Sequence, residues 1–597
     1  MFVKTVCPYC GVGCSIILEV KNNRVVKTHP DKKDPVSRGK PCIKGLTVHE
    51  TVYNDRIKRP MVRKGKKLVE VSWKEAYNKI FENIGCLNGE DIALYCSSPA
   101  TNEDAFLFQK LGQEVFGTGN IDSCARLCHA ATCYAFKETF GISAMPSRLS
   151  DIDKGDCFLI TGSNPKTTYP VVFNRILKAK KKGAKVICVR QWSDDSVKES
   201  DLFVDIANGA HIPFLNSILH LLVKEKAVKV PEHIAECVSN YPPKKAAQIC
   251  KCQPSEIEEV AEAVKESKNF CLFYGMGLTQ HSYGVSNVFS ALNLVLAKKG
   301  KIFPMRGKAN IQGVGDMGCV PDGLTFISSV FLFPAKAFYI VHSDPAKSLP
   351  YLDKVHERLK KSFVVLQTTY PCLTMKFADV VLPSCSFAEK EGTFTNAESR
   401  IRELNRAVKP LHKSKPDWVI FSEIAERFGF KFSFNSIKDI QKEIKKQVPG
   451  YFRGNFVKRK IKKEVFHVSE FPGFESIASK EFPFILTTAR RPYTFCSNTL
   501  SSRSKTLKKF GDKPVCYMNP KDASSMKIKN KSKVRITSCA SSIKATVKIS
   551  ENIPEGLVVV PFHFDKVLVN KLFPLQFDAT VEEPNLKRVA VKIEAVS

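Results

Sequence analysis

The alternation of apolar and polar positions divides the chain into three regimes. Ser15–Val20 and Arg24–Thr28 follow the two-residue period of half-buried strands and meet through Lys21-Asn22-Asn23, which predicts a hairpin. Trp73 to Ile84 has helical spacing. Asp91 to Cys96 predicts a buried strand, ending in the polar loop Ser97 to Glu103 that opens another helix. From about residue 150, strand-length apolar runs alternate with helical stretches: Cys157–Thr161, Ala184–Val189, Leu202–Ile206, Phe270–Tyr274, Ala337–Val341 and Phe363–Leu366. That alternation predicts parallel, doubly wound sheets. Residues 410–480 read as connecting helices and a basic loop. Beyond about 480 the runs are short and separated by polar turns: Pro483–Thr488, Lys533–Thr537, Ile543–Ile549 and Leu557–Val560. They predict a separate, closed β-barrel. The chain is thus expected to be multidomain α/β: a small domain at 1–56, α/β domains at 57–480 with a central subdomain at about 141–335, and a barrel at 481–597.

The first segment carries the densest chemistry. Cys7-Pro8-Tyr9-Cys10 is followed by Gly11-Val12-Gly13-Cys14 and, later, by Lys40-Pro41-Cys42-Ile43-Lys44. Three thiolates so close together suit three corners of an iron–sulfur cube, and a distant fourth closes it. Gly11 and Gly13 let the loop curl so that N–H groups point at sulfides. Zinc is the first competitor, but zinc motifs usually come as two separated pairs. Four buried thiols are the plainest alternative. A [4Fe–4S] cluster on Cys7, Cys10, Cys14 and Cys42 is the favoured reading.

Composition narrows the class. At 597 residues, with 43% hydrophobic and 25% charged residues, the chain is an ordinary globular one too long for a single core. Its 21 cysteines are scattered rather than framed as disulfides, which favours a reducing compartment. No apolar run reaches the roughly 18 residues of a membrane span, and no leader precedes Cys7, so a cytoplasmic protein is expected. The net charge of +33 is spread along the chain, densest at Lys458–Lys463. Without a nucleic-acid module, it reads as solvated lysine faces, with steering of an anion or an acidic electron-transfer subunit second.

Ligands of doubly wound sheets lie beyond the strand C-terminal ends. Those loops contain Gly162, Asn164, Gly275 and Gly277, then His342–Pro345 and Gln367–Thr369, and suit a large polar cofactor. Gly313-Val314-Gly315-Asp316-Met317-Gly318 matches G-x-G-x-x-G. It follows a loop-like stretch and opens no clear helix, so it is weak evidence for a nicotinamide cofactor. Cys128-His129 stands where a loop enters a helix, pairing a soft metal ligand with a group that moves protons near neutral pH. A buried thiol beside a helical histidine is the equal alternative. Cys124 and Cys133 read as packing thiols, and Cys250-Lys251-Cys252 is too tight for a cluster pair.

Taken together, the cysteine quartet, Ser123–His129, Pro304–Gly307 with Asp316–Gly318, Ala378–Pro383, Glu391–Arg400 and Asn519–Ala523 carry a resemblance. The chain resembles the catalytic subunits of molybdenum- or tungsten-dependent formate dehydrogenases, in the dimethyl sulfoxide reductase family of molybdopterin oxidoreductases. The resemblance runs from Cys7 to about Lys587. It implies a bis(molybdopterin guanine dinucleotide) cofactor and a barrel of double-psi type. By position, Cys128 matches the metal ligand, His129 the histidine beside it and Arg306 the arginine that holds the formate carboxylate. Lys44 matches a lysine between cluster and pterin. Gly307, Gln312, Asp316, Thr488 and Arg490 are further cofactor-binding positions by resemblance, as are His563, Asn570 and Lys587.

The implied reaction is oxidation of formate to carbon dioxide, or its reverse, with one cluster exporting electrons. No second cysteine quartet and no flavin or nicotinamide motif is present, so the expected acceptor is a separate iron–sulfur or flavin subunit. Relatives of formylmethanofuran dehydrogenase or nitrate reductase type are alternatives, as is a non-catalytic relay like the large iron–sulfur subunit of respiratory complex I. No nucleic acid is expected. Three positions depart from the pattern: Val189-Arg190-Gln191-Trp192 replaces Asp-Pro-Arg, Gly209-Ala210-His211 replaces Gly-Thr-Asp, and His342-Ser343-Asp344-Pro345 replaces Gly-Glu-Asn-Pro. The first two put the details of nucleotide binding in question.

Overall fold

The structure is a computed structural model that describes residues 1–194, 196–511 and 513–596. The chain divides into two compact units. One comprises Met1–Arg126, Gly307–Arg459 and Tyr493–Asp512; the other comprises Leu127–Arg306, Lys460–Pro492 and Lys513–Ser597.

The first unit opens with a three-stranded antiparallel sheet, Phe2–Val6, Ser15–Lys21 and Arg24–Pro30. Asn22 and Asn23 both have positive φ, 47° and 55°, as a two-residue turn matched to strand twist requires. Its main sheet has seven strands in the order Lys67–Glu70, Met61–Lys64, Val380–Pro383, Phe363–Thr368, Ala337–Val341, Ile92–Cys96, Ile121–Ser123. All neighbours are parallel except around the Met61–Glu70 hairpin at one edge. Strand order reverses between Ile92–Cys96 and Ala337–Val341, so the loops after them, at Ser97 and His342, flank a switch point. The helix Trp73–Ile84 forms because Ser72 and Glu75 make a reciprocal capping box, worth about 1 kcal/mol, and Ala76, Tyr77, Ile80 and Ile84 bury one face.

The second unit holds a five-stranded, fully parallel sheet in the order Leu202–Asp205, Lys185–Arg190, Cys157–Thr161, Phe270–Tyr274, Lys301–Pro304. Its switch point falls between Cys157–Thr161 and Phe270–Tyr274. Six strands close the barrel: Phe484–Ala489, Leu557–Pro561, Val515–Met518, Ser542–Ile549, Lys533–Thr537 and Val589–Ala595. The strands at Val515 and Val589 escaped the pattern because each lies among charged neighbours that blur its period. A short helix, Ile311–Asp316, covers the start of the G-x-G-x-x-G stretch, where no clear helix was expected to open. A Cβ on Gly313 would run into the Asn102 side chain, so that glycine serves close packing.

Candidate active site and cluster loop

The cysteine loop is built by its own backbone and by a second segment that grips it. Cys7 N–H donates to the Cys14 carbonyl (2.9 Å) and Gly13 N–H to that of Cys10 (3.2 Å). The hairpin of Gly392–Thr395 and Ile401–Leu404 delivers Asn396, whose Nδ2 donates to the Val12 carbonyl at 2.9 Å. Ala397 N–H donates to the Gly11 carbonyl at 2.8 Å, and Arg402 pairs with the buried Asp34 at 2.7 Å. Asn396 and Ala397 of the Glu391–Arg400 stretch thus brace the cysteine loop.

The thiols fit the cluster read from their spacing. Cys7, Cys10 and Cys14 are buried and Cys42 is half-buried. Burial first, then the neighbouring thiols, push Cys7 and Cys14 well above the ordinary thiol value and Cys10 up to about 11. The buried Lys44 ammonium works in the opposite direction on Cys7 and Cys10. Four thiols near enough to repel one another as thiolates, beside one cation, are a donor set that multivalent iron satisfies. Among the described residues no three Cys, His, Asp or Glu side chains converge as a single ion requires. A cube instead spreads its ligands over several irons.

In the second unit, His129 is the N-cap of the helix Ala130–Phe140, which ends at Gly141 with φ 72°. Cys128 is half-buried and His129 sealed. The Cys128 carbonyl accepts from Thr279 Oγ1 (2.6 Å) and the Leu127 carbonyl from Gln280 Nε2, so the turn after Phe270–Tyr274 fixes this loop. The Glu583 carboxylate accepts from Ala131 N–H (2.9 Å), satisfying the helix N-terminus with a negative charge. His129 Nδ1 lies 3.0 Å from Thr132 Oγ1, which also accepts from Tyr274 OH at 3.0 Å. His129 Nε2 has no hydrogen-bond partner among the described residues. Burial, and then the Arg306 charge, lower the imidazole to about 3.

Arg306 follows the strand Lys301–Pro304 and is 2% exposed. Its Nη2 donates to the Ser143 carbonyl (3.1 Å) and to the Cys133 thiol (3.6 Å), one turn along the helix that His129 caps. Cys128, His129 and Arg306 therefore meet at one helix start. Cys133 is more than the packing thiol expected, and Thr132, Tyr274, Thr279, Gln280 and Glu583 were missed. Their only signal was position: Tyr274 ends a recognised strand and Thr279 follows it by five residues.

The loops at the switch point close in the same unit. Gly162 has φ 55°, Gly277 N–H donates to its carbonyl (3.0 Å), and a Cβ on Gly277 would lie 2.5 Å from that oxygen. Only glycine permits this approach. Met276, between Gly275 and Gly277, receives a hydrogen bond from Arg490 Nη2 (3.4 Å) at its sulfur, and Arg490 Nε has no partner among the described residues. Lys587 Nζ donates to both Thr488 oxygens at 2.9 Å. Burial, then the Arg490 charge, lower Lys587 to about 7. A depressed lysine beside an incompletely bonded arginine is a cationic pocket suited to a phosphorylated group.

Other expected positions are already engaged. Asn164 Oδ1 caps a short turn through Thr167 N–H, and its Nδ2 donates to Asp194. His563 is buried and accepts from Arg491 N–H (3.2 Å). Asn570 is buried at the 3-10 turn Val569–Leu572. In the first unit, Gln312 donates to Asp316 (2.9 Å), which also binds Tyr451 OH (2.6 Å) and Arg459. Gly307 is buried. The three departures have local explanations. Arg190 pairs with Asp194 and bonds Ser196 (2.9 Å); His211 is sealed between Thr161 (3.0 Å) and Gln191 (3.2 Å). His342 adopts φ 51°, a glycine-like conformation, and bonds Asp417 at 3.1 Å.

Residues 56–427 match the family described as molybdopterin oxidoreductase, residues 1–54 its Fe4S4 domain, and residues 484–590 the molydopterin dinucleotide binding domain. The chain belongs to the molybdopterin oxidoreductase family. The cofactors of this oxidoreductase are a [4Fe–4S] cluster and a molybdenum or tungsten bis(molybdopterin guanine dinucleotide). It is 33% identical to the F420-dependent formate dehydrogenase subunit alpha of Methanocaldococcus jannaschii, over 100% of this chain and 99% of that one. It is 27% identical to formate dehydrogenase H of Escherichia coli, over 100% of this chain and 96% of the relative. Acetylene hydratase from Pelobacter acetylenicus shares the oxidoreductase's fold, with a TM-score of 0.82 over 99% of this chain and 100% of the other, at 17% identity.

Proposed function

We propose that the chain is the catalytic subunit of a formate dehydrogenase, converting formate to carbon dioxide, a proton and two electrons, or the reverse. One observation carries the reading: a thiol, an uncharged imidazole and a buried guanidinium converge at the start of the Ala130–Phe140 helix. When bound, the molybdenum or tungsten centre supplies the two-electron sink for the C–H bond. Cys128 is its protein ligand, half-buried and held by its backbone carbonyl.

Arg306 grips the formate carboxylate. A guanidinium makes two parallel hydrogen bonds to a carboxylate, which fixes the direction of the C–H bond. The Ser143 carbonyl and Cys133 thiol that Nη2 reaches are neutral, and a carboxylate is a stronger acceptor for a guanidinium than either. His129 receives the proton at Nε2, the atom that lacks a partner among the described residues, while Thr132 holds Nδ1. Arg490 and Lys587 hold cofactor phosphate, Gly162, Gly275 and Gly277 give it backbone access, and Asn164, Thr488, His563 and Asn570 of the same unit shape its surroundings. Cys7, Cys10, Cys14 and Cys42 hold the cluster, and the Lys44 ammonium stabilises an added electron there. Electrons leave to an iron–sulfur or flavin protein. The domains are 1–56 for the cluster, 57–480 for the α/β body and 481–597 for the barrel. Among the described residues no helix is long and apolar enough to cross a membrane, and a cytoplasmic location suits a chain whose 21 cysteines are scattered rather than framed as disulfides.

Metal analysis of anaerobically prepared protein tests the reading. About four irons and one molybdenum or tungsten per chain, with formate-dependent dye reduction, are expected. Iron alone, from a host that makes the cofactor, would leave a relay subunit.

A further inference from the structure

The Cys250-Lys251-Cys252 stretch takes no part in the proposed reaction, and the fold gives it chemistry of its own. The helix Pro243–Cys250 of the second unit ends at Lys251 in the left-handed conformation, φ 57° and ψ 40°. Lys251 N–H and Cys252 N–H both donate to the Ala247 carbonyl, the latter at 3.2 Å, so the chain turns back at the helix end. That turn brings the two thiols within hydrogen-bonding reach of each other. Cys250 lies in the apolar core of the unit, and Cys252 is half-buried at its margin. The hydrogen bond from Cys250 lowers the Cys252 thiol below its ordinary value, against burial and the nearby Glu256 carboxylate. The same bond first, then burial, hold Cys250 far above it. A reachable sulfur that holds a thiolate beside a buried one that keeps its proton divides the work as attacking and resolving cysteines do.

Cys250 is also tied to the turn that precedes His211. Its carbonyl accepts from Ala207 N–H (2.7 Å), and its S–H reaches the Ala210 carbonyl at 3.5 Å. That single S–H therefore has two acceptors, the Ala210 carbonyl and the Cys252 sulfur. The turn continues into the barrel: Asn208 Nδ2 donates to the Lys587 carbonyl (2.9 Å), and Arg588 Nη1 donates to the Asn208 carbonyl (2.6 Å). What happens at the Cys250 sulfur is thus felt at the Ala207–Ala210 turn.

We infer that Cys250 and Cys252 are a reversible dithiol–disulfide site, oxidised by exchange with a small-molecule disulfide, and that oxidation loosens the Ala207–Ala210 turn. The Cys252 thiolate attacks one sulfur of the incoming disulfide. That S–S bond breaks, a mixed disulfide forms and one thiolate leaves. The Cys250 thiol then gives up its proton and attacks the Cys252 sulfur, closing the Cys250–Cys252 bond and releasing the second thiolate. Two electrons and two protons pass from the pair to the disulfide, which leaves as two thiols. The oxidised pair has no S–H to offer, so the Ala210 carbonyl loses that donor.

Lys251 makes the site directly testable. Trypsin cuts after Lys245, Lys251 and Lys265, so Cys250 and Cys252 fall in separate peptides that stay joined only through a disulfide. The full chain, loaded with its cluster, is equilibrated without oxygen in mixtures of reduced and oxidised glutathione. It is then trapped with N-ethylmaleimide, digested and read by mass spectrometry, with iron content measured alongside. Peptides 246–251 and 252–265 should become joined as oxidised glutathione rises, and separate again when the reduced form is restored. Before oxidation, Cys252 should react with the maleimide about tenfold or more faster than Cys250. Hydrogen exchange at residues 207–210 should quicken in the oxidised wild type and stay unchanged in Cys252→Ser under the same mixture. In Cys250→Ser, Cys252 should stop at the glutathione mixed disulfide. Peptides that never join while glutathione accumulates on Cys252 would overturn the inference, as would Cys252 joining other cysteines equally well. So would joining that leaves exchange at residues 207–210 unchanged, since the pair would then have no hold on the turn.

Discussion

Arg306 and Cys133 are joined by a hydrogen bond from the guanidinium Nη2 to the thiol at 3.6 Å, so the arginine proposed to grip the formate carboxylate is held by the helix that His129 begins. Any change in that helix start is felt at the guanidinium. Arg306→Lys keeps a cation but loses the planar fork. It should lower kcat/KM for formate by roughly a hundredfold or more, while iron and molybdenum or tungsten content stay the same. Steady-state kinetics beside metal analysis checks this; unchanged kcat/KM would remove Arg306 from the site.

Gly13 has φ 69°, and a Cβ there would lie 2.8 Å from Cβ of Asn396. Gly13→Ala therefore meets both backbone strain, about 1–2 kcal/mol, and the brace that holds the cysteine loop. Iron content should fall well below four per chain, with the brown cluster absorbance, and the circular dichroism of the α/β body should persist.

A buried network in the first unit sets acid sensitivity. Lys390 pairs with Asp104 (2.8 Å) and Asp417 (2.5 Å), and His342 bonds Asp417 at 3.1 Å. Burial alone would raise the Asp417 carboxyl, but His342 and Lys390 more than offset it and hold it far below the usual range. A depressed carboxylate contributes stability above its unfolded value near 4 and loses it as pH falls further. Lys390→Met leaves two carboxylates buried without their cation and should cost about 3–5 kcal/mol at pH 7 by urea unfolding. Between pH 4 and 2 the variant should lose less stability than the wild type.

Lys587 titrates in the opposite sense. With the folded value near 7 and the unfolded value near 10.4, the unfolded chain binds more protons between them, so stability rises with pH across that window. Cofactor-free wild type should gain a few kcal/mol relative to Lys587→Met between pH 7 and 10. Thermal unfolding of the two apoproteins across that range checks it. Parallel curves would place Lys587 in a wetter site than its burial implies.

The order of elements, the cysteine quartet and the Cys128-His129 pair were legible in the chain because each is local. A strand's period, a C-x2-C-x3-C loop and a helix start need only neighbouring residues. Long-range pairing was not. Cys133 was read as packing because its partner, Arg306, lies 173 residues away, and Glu583 reaches the His129 helix across 452. The helix Ile311–Asp316 at the G-x-G-x-x-G stretch was not expected because six helical residues with two glycines carry almost no helical signal.

By itself the sequence determined which residue types were available and where strands, helices and the cluster loop form, since those follow from side-chain period and backbone preference. Tertiary structure alone decided which distant groups meet: Asn396 on Gly13, Glu50 on the Lys505–Phe510 helix, Lys587 on Thr488. It also decided what charge state burial permits each group, because desolvation and neighbouring charge exist only once the chain has closed around them.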